Sequence, residues 1–196
     1  DNCFASKRWT EPEAWMQIIH DAGARLVEAS ADTECDPLYT PSDVLDEWVE
    51  RVQSAAQRLN MRVANLYSGH GTYTTLGLAH PDVRVADHIK HNWLEPMIQR
   101  THPLQAGLGF YCHAFSQSVL QNRQHSLEAR AALYRRLTEL AQYARDVGFG
   151  QISVEQMYTP HQIPWTIDGT KALLRHVVRY GEAELYTTLD TGHQVG

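Results

Sequence analysis

Along the chain, short runs of apolar, β-branched and aromatic residues alternate with longer stretches in which apolar residues recur every three or four positions. Runs of the first kind read as strands buried on both faces, and stretches of the second kind as helices with one apolar face. Six runs stand out. The first is Cys3 to Ser6, followed by a helix that Thr10 caps, with Glu11, Pro12 and Glu13 in its first turn and Gly23 as its stop. The second run is Arg25 to Ser30. The next helix starts at Thr40-Pro41-Ser42-Asp43 and turns Val44, Leu45, Trp48, Val49, Val52, Ala55, Ala56 and Leu59 to one side. The third run, Arg62 to Tyr67, leads into a connection from Ser68 to Leu104 that is expected to hold a helix through Val85 to Ile98. The fourth run is Gly107 to Phe115, and an amphipathic helix from Ser126 to Val147 follows it, with Gly148 as its stop. The fifth run is Gln151 to Met157, then a helix from Thr166 to Arg179, and the sixth is Ala183 to Asp190.

Strands joined by helices imply parallel pairing, because a parallel crossover needs a dozen or more residues. An open doubly wound sheet and a closed barrel both fit that pattern. No GxGxxG or GxxxxGK[ST] follows any run, which speaks against a nucleotide-binding open sheet. Polar residues instead stand at or near the carboxyl ends of the runs: Ser6-Lys7-Arg8, Glu28, Asn65, His113, Glu155 and Asp190. A barrel gathers its site on that rim, one or two residues per strand. The expectation is therefore an α/β chain forming one domain over residues 1–196, a (βα)8 TIM barrel truncated after strand six. The start at Asp1 and the stop at Gly196, directly after a functional-looking motif, are expected to be cuts, with strands seven and eight missing.

Composition narrows the function without naming it. The chain is 43% hydrophobic and 20% charged, an ordinary globular balance. Its net charge of −6 lacks the basic footprint of a nucleic-acid binder. Three cysteines without a CxxC pair argue against a disulfide framework and a zinc knuckle. No apolar run approaches the roughly 20 residues of a membrane span, and no secretory leader is visible. The expectation is a cytoplasmic homo-oligomer with a small-molecule partner, without nucleic acid or membrane.

Two features carry candidate chemistry. Asp190 and His193 stand three apart in a tight turn after the sixth run, so both can face one cleft. A carboxylate with an imidazole suits a divalent transition metal, although a capping Asp is the ordinary alternative. Glu155 lies inside the apolar stretch Ile152-Ser-Val-Glu-Gln-Met157, where a charge is costly unless paired or metal-bound. A buried Arg or Lys partner is the alternative for it. The stretch Gln156 to Ile167 carries two prolines, Pro160 and Pro164, which extend a loop in which Met157, Tyr158, His161 and Trp165 can shape a pocket.

These residues resemble a known family, the xylose isomerase-like TIM barrels, which include ketose 3-epimerases, small sugar isomerases and the family 2 abasic-site (AP) endonucleases. Ser153-Val-Glu-Gln, Asp190-Thr-Gly-His193 and Tyr111-Cys-His113 carry the resemblance, with Asp190 standing 35 residues after Glu155. It implies a divalent metal (Mn2+, Co2+, Mg2+ or Zn2+) held by Glu155 and Asp190, with His193 either a third ligand or a substrate contact. It implies two further ligands, a His on strand seven and a Glu on strand eight. His113, Tyr67 and Trp165 become candidate substrate contacts, and Glu155 a candidate catalytic base. Glu28 is a candidate for orienting a ligand; Lys7, Arg8 and Trp9 could hold an anionic group, and Tyr73 could wall the pocket. The activity implied is isomerisation or epimerisation of a small sugar through an enediolate. A lyase acting on a sugar acid, an abasic-site endonuclease and a non-catalytic sugar-binding barrel are the rival readings.

Overall fold

In a computed structural model of the chain, residues 11–69 and 75–194 are described. Five strands form one parallel sheet in sequential order: β1 (Leu26–Ser30), β2 (Arg62–Ser68), β3 (Gly107–Phe110), β4 (Ile152–Gln156) and β5 (Tyr186–Leu189). These are the second to sixth of the expected runs. The first run, with Lys7, Arg8, Trp9 and the cap Thr10, lies outside the described residues, as does Tyr73.

The register is continuous across the inner strands. Tyr67 pairs with Gly109, Gly109 with Ser153, and Glu155 with Thr188. The pairing of β1 with β2 shifts between Val27 and Glu28, where Ala64 is the extra residue on β2, so that Glu28 comes opposite Asn65.

The helices Pro12–Asp21, Ser42–Leu59, Arg123–Val147 and Ile167–Gly181 cover the sheet. Their buried stripes meet the strands in one core: Trp15, Leu45, Trp48 and Val52 on one side, and Leu133, Leu137, Leu173 and Val177 on the other. Each such side chain contributes roughly 1.5–3 kcal/mol by leaving water. Caps fix where two helices begin. Asn122 accepts from the backbone N–H groups of Gln124 and His125, and Thr166 accepts from that of Gly169. Val44, placed by periodicity on the apolar face, is 46% exposed. Among the described residues, no helix is long and apolar enough to cross a membrane.

Two elements differ from their expected form for physical reasons. The expected helix of residues 85–98 is a helix Val83–Ile89, a wider turn Lys90–Leu94 and a second helix Glu95–Leu104. Pro96 lacks an N–H and its ring crowds the carbonyl four residues back, so the turn before it widens. The fourth run extends to Phe115 by composition, but β3 ends at Phe110. Residues 111–115 stay apolar because they are buried beneath two loops. Cys112 accepts from the N–H of Leu78, and the N–H of Phe115 donates to the carbonyl of His161.

Candidate metal centre

Glu155 sits on β4 and is 8% exposed, an expensive place for a carboxylate. Its nearest positively chargeable neighbour is an imidazole. Asp190 follows β5 directly, and the turn Thr191–Gln194 is closed by two bonds to it: the N–H of Gly192 donates to Oδ1 at 2.7 Å and that of His193 to the backbone carbonyl at 3.1 Å. This turn carries the His193 ring back towards β4. There Nδ1 lies 3.3 Å from Glu155 Oε1 and 3.2 Å from the carbonyl of Gln156, while Nε2 lies 3.5 Å from Asp190 Oδ2. Tyr158 packs its ring against the imidazole at 4.8 Å between centroids.

The donor atoms of Glu155, Asp190 and His193 all lie within 4.8 Å of one another. Two acceptors face Nδ1 and an Asp190 carboxylate oxygen faces Nε2, so the ring stands between the two carboxylates, where either an ion or a ring proton can bridge Nε2 to Asp190. Burial pushes the Glu155 carboxyl above its ordinary range; His193 opposes the shift and the charge of Asp190 adds to it.

A cavity of about 550 Å3 opens over this cluster. Glu28, Tyr67, Tyr111, Met157 and Thr188 line it besides the three donors. The Tyr67 hydroxyl donates to Glu155 Oε2, and Asn65 Nδ2 donates to Glu28 Oε2 at 2.8 Å. Thr188 and Ser153 share a hydrogen bond of 2.9 Å beneath the cavity floor.

The structure thus gathers Glu155, Asp190, His193, Tyr67 and Glu28, and leaves two expected substrate contacts outside. His113 is fully buried, stacked against Tyr111 at 4.7 Å, with Nε2 donating to the carbonyl of Ile163. Burial pushes its imidazole down to about 4, which keeps it neutral. The chain turns after Phe110, so Tyr111 takes the cavity wall and His113 the space behind it. Trp165 is 41% exposed and lines a separate apolar pocket of about 230 Å3 with Phe115, Ile163 and Arg130. His161 is exposed and shares a hydrogen bond with Thr159. Tyr111 and Thr188 are lining residues that sequence reasoning did not assign. The pairing of Thr188 with Glu155 follows from the register, which a single sequence does not show.

A sequence profile described as the xylose isomerase-like TIM barrel matches residues 16–196. No curated protein matches by sequence. Among solved structures, the "Putative Xylose isomerase" of Rhodospirillum rubrum superposes with a TM-score of 0.87 at 22% identity, over 97% of this chain and 64% of that one. The D-psicose 3-epimerase of Clostridium cellulolyticum, solved with D-tagatose, gives 0.69 at 15% identity, over 97% and 63%. The 3-keto-D-glucoside 4-epimerase of E. coli gives 0.64 at 14% identity, over 94% and 65%. Identities this low establish a shared fold, and the chain spans only 63% to 65% of the length of these three structures.

Proposed function

The chain belongs to the xylose isomerase-like TIM barrel family, and on that premise we propose that the whole protein is a metal-dependent isomerase or epimerase acting on a small sugar. One observation carries the reading: the cluster of Glu155, Asp190 and His193, with Nε2 of His193 and Oδ2 of Asp190 facing each other 3.5 Å apart beside a buried carboxylate. The matched structures that act on ketoses and ketoglucosides support the sugar, and the cavity is of a size for one.

The donor set fits a divalent ion. Two carboxylates and an imidazole suit Mn2+, Co2+, Mg2+ or Zn2+, and the atoms already converge. Glu155 through Oε1, Asp190 through Oδ2 and His193 through Nε2 would hold it. Such an ion supplies positive charge that polarises a carbonyl and stabilises an enediolate. The other work falls to the chain. Glu155, whose carboxyl burial pushes above its ordinary value, takes the proton from the carbon next to the carbonyl. His193 presents a ring nitrogen to a sugar hydroxyl, and Tyr111 and Met157 exclude water from one side.

The exposed edge of β5, with Leu189 67% and Tyr186 42% exposed, supports further strands closing a single barrel domain in the whole protein. The buried free thiols of Cys35 and Cys112 support a reducing compartment, and hence the cytoplasm.

Solvent exchange tests the activity. The full-length protein, loaded with Mn2+ in D2O, is expected to place deuterium on the carbon next to the carbonyl of at least one member of a panel of tetroses, pentoses and hexoses. Glu155→Gln is expected to remove that exchange. A loaded, folded protein that labels none of the sugars would refute the proton-transfer reading.

A further inference from the structure

On the inner face of the sheet, β3 carries no side chain between β2 and β4 at one level. Gly109 stands there, paired with Tyr67 on one side and with Ser153 on the other. A Cβ on Gly109 would lie 2.9 Å from Tyr67 Cδ2, 2.8 Å from Asn65 Nδ2 and 3.1 Å from Ser153 Oγ. The contacts to Tyr67 and Asn65 are closer than packed atoms tolerate, and the one to Ser153 is tight enough to require a small shift. The missing side chain is therefore a space that the Tyr67 ring uses. Across it the phenol reaches past β3 to Glu155 on β4, where the hydroxyl donates to Oε2.

That contact divides the labour of the carboxylate. Oε2 is tied to Tyr67, while Oε1 faces His193 Nδ1 at 3.3 Å and the metal cluster. Among the described residues no Lys or Arg forms an ion pair with Glu155; His193 faces Oε1, and the phenol holds Oε2. Immobilising a free glutamate side chain costs rotamer entropy, and a prior hydrogen bond meets much of that cost before a ligand arrives.

We propose that Tyr67 is a positioning residue for Glu155, holding Oε2 so that Oε1 alone is offered to the ion, and that Gly109 is the cut-out in β3 that lets it do so. The proposal rests on the reading of Glu155 as a ligand. A tyrosine that merely walled the cavity would alter sugar affinity and leave metal affinity alone.

Three full-length variants separate these possibilities: Tyr67→Phe, Gly109→Ala and Glu155→Gln. Calorimetric titration with Mn2+, without sugar, is the first readout. Removing a group that orients a metal ligand costs about 10–100-fold in affinity. Tyr67→Phe is thus expected to weaken Mn2+ binding at least tenfold, Gly109→Ala to do the same, and the double variant to be no worse than the weaker single. The second readout is a double-mutant cycle in metal-free melts between Tyr67→Phe and a further variant, Glu155→Ala, which removes the acceptor; there a real contact gives non-additive shifts. Mn2+ affinity within twofold of wild type in Tyr67→Phe, with Glu155→Gln abolishing binding, overturns the positioning role and leaves the ligand reading standing. Unchanged affinity in Glu155→Gln overturns the ligand reading and the positioning role with it. Additive melts overturn the contact itself. If Gly109→Ala does not fold by circular dichroism, Tyr67→Phe still decides, since it removes one atom and keeps the ring.

Discussion

Glu155→Gln is expected to stabilise the metal-free protein and to destabilise it relative to wild type once metal is added. Glu155 is 8% exposed, and burial together with the nearby Asp190 charge disfavours its ionised form, with His193 only partly offsetting them. An acid whose folded pKa is raised costs stability above that pKa and costs none when protonated in both states. Replacing the carboxylate with an isosteric amide removes the desolvation cost and the repulsion. The Gln carbonyl can still accept from Tyr67, so the loss is the difference between a charged and a neutral hydrogen bond, about 1 kcal/mol. Relief of a destabilised functional site commonly returns about 0.5–2 kcal/mol net. At about 2–4 °C per kcal/mol for a chain of this size, the metal-free melting temperature is expected to rise by about 1–8 °C at pH 7.5.

The sign reverses with Mn2+. An ion bound only to the folded wild type at 100 times its Kd adds about 2.7 kcal/mol, or about 5–10 °C, and the variant, lacking a ligand, gains far less. Differential scanning calorimetry with and without Mn2+, at pH 7.5 and near pH 4, reads all of this. The metal-free advantage of the variant should shrink as pH falls into the ordinary carboxylate range, because Glu155 is then protonated in both states. A variant that melts below wild type without metal, by a margin independent of pH, would refute the reasoning from burial and repulsion.

Two further outcomes follow from residues outside the cavity. Burial holds the His113 imidazole down to about 4, against about 6.5 when unfolded, so the stability it contributes is complete above about pH 6.5 and is lost as pH falls from there towards 4. The melting temperature of His113→Leu should lack that slope between pH 7 and pH 4.5, and a slope equal to that of wild type would show that His113 is not the group responsible. Trp165→Ala, in the separate apolar pocket, is expected to change kcat/KM for any accepted sugar by no more than about twofold and stability by about 0.5 kcal/mol, measured by steady-state kinetics and urea unfolding.

Much of the fold was legible because period and composition agree. Five expected runs became strands in sequence order, and the helix expected from Thr166 runs Ile167–Gly181 with Thr166 as its cap. What periodicity could not supply was the end of a strand buried on both sides. Residues 107–115 are apolar apart from His113, whether they pair, as Gly107–Phe110 do, or lie under the loops of Leu76–Ala79 and His161–Ile163. Burial alone demands that composition. Pro96 stands inside the single helix expected over residues 85–98, and that it widens a turn there follows from the packing of the two helices that flank it.

The same distinction decides which site residues were legible. Glu155 and Asp190 were singled out as candidates because each breaks a rule: a charge inside an apolar strand, and a carboxylate with a histidine in one turn. His193 became a candidate through Asp190, since the turn that joins them is short enough to fix their mutual geometry. His113 broke a rule as well, but three residues beyond a strand end that composition hides, so the direction of its side chain was open and the cavity went to Tyr111. Tyr67 and Gly109 broke none. A tyrosine in a strand and a glycine in a strand are each unremarked in isolation, and their meaning lies in the register that sets one opposite the other and both beside Ser153. A residue that acts by its own chemistry can announce itself along the chain. A residue that acts by making room for another is legible only when the neighbouring strand is in place.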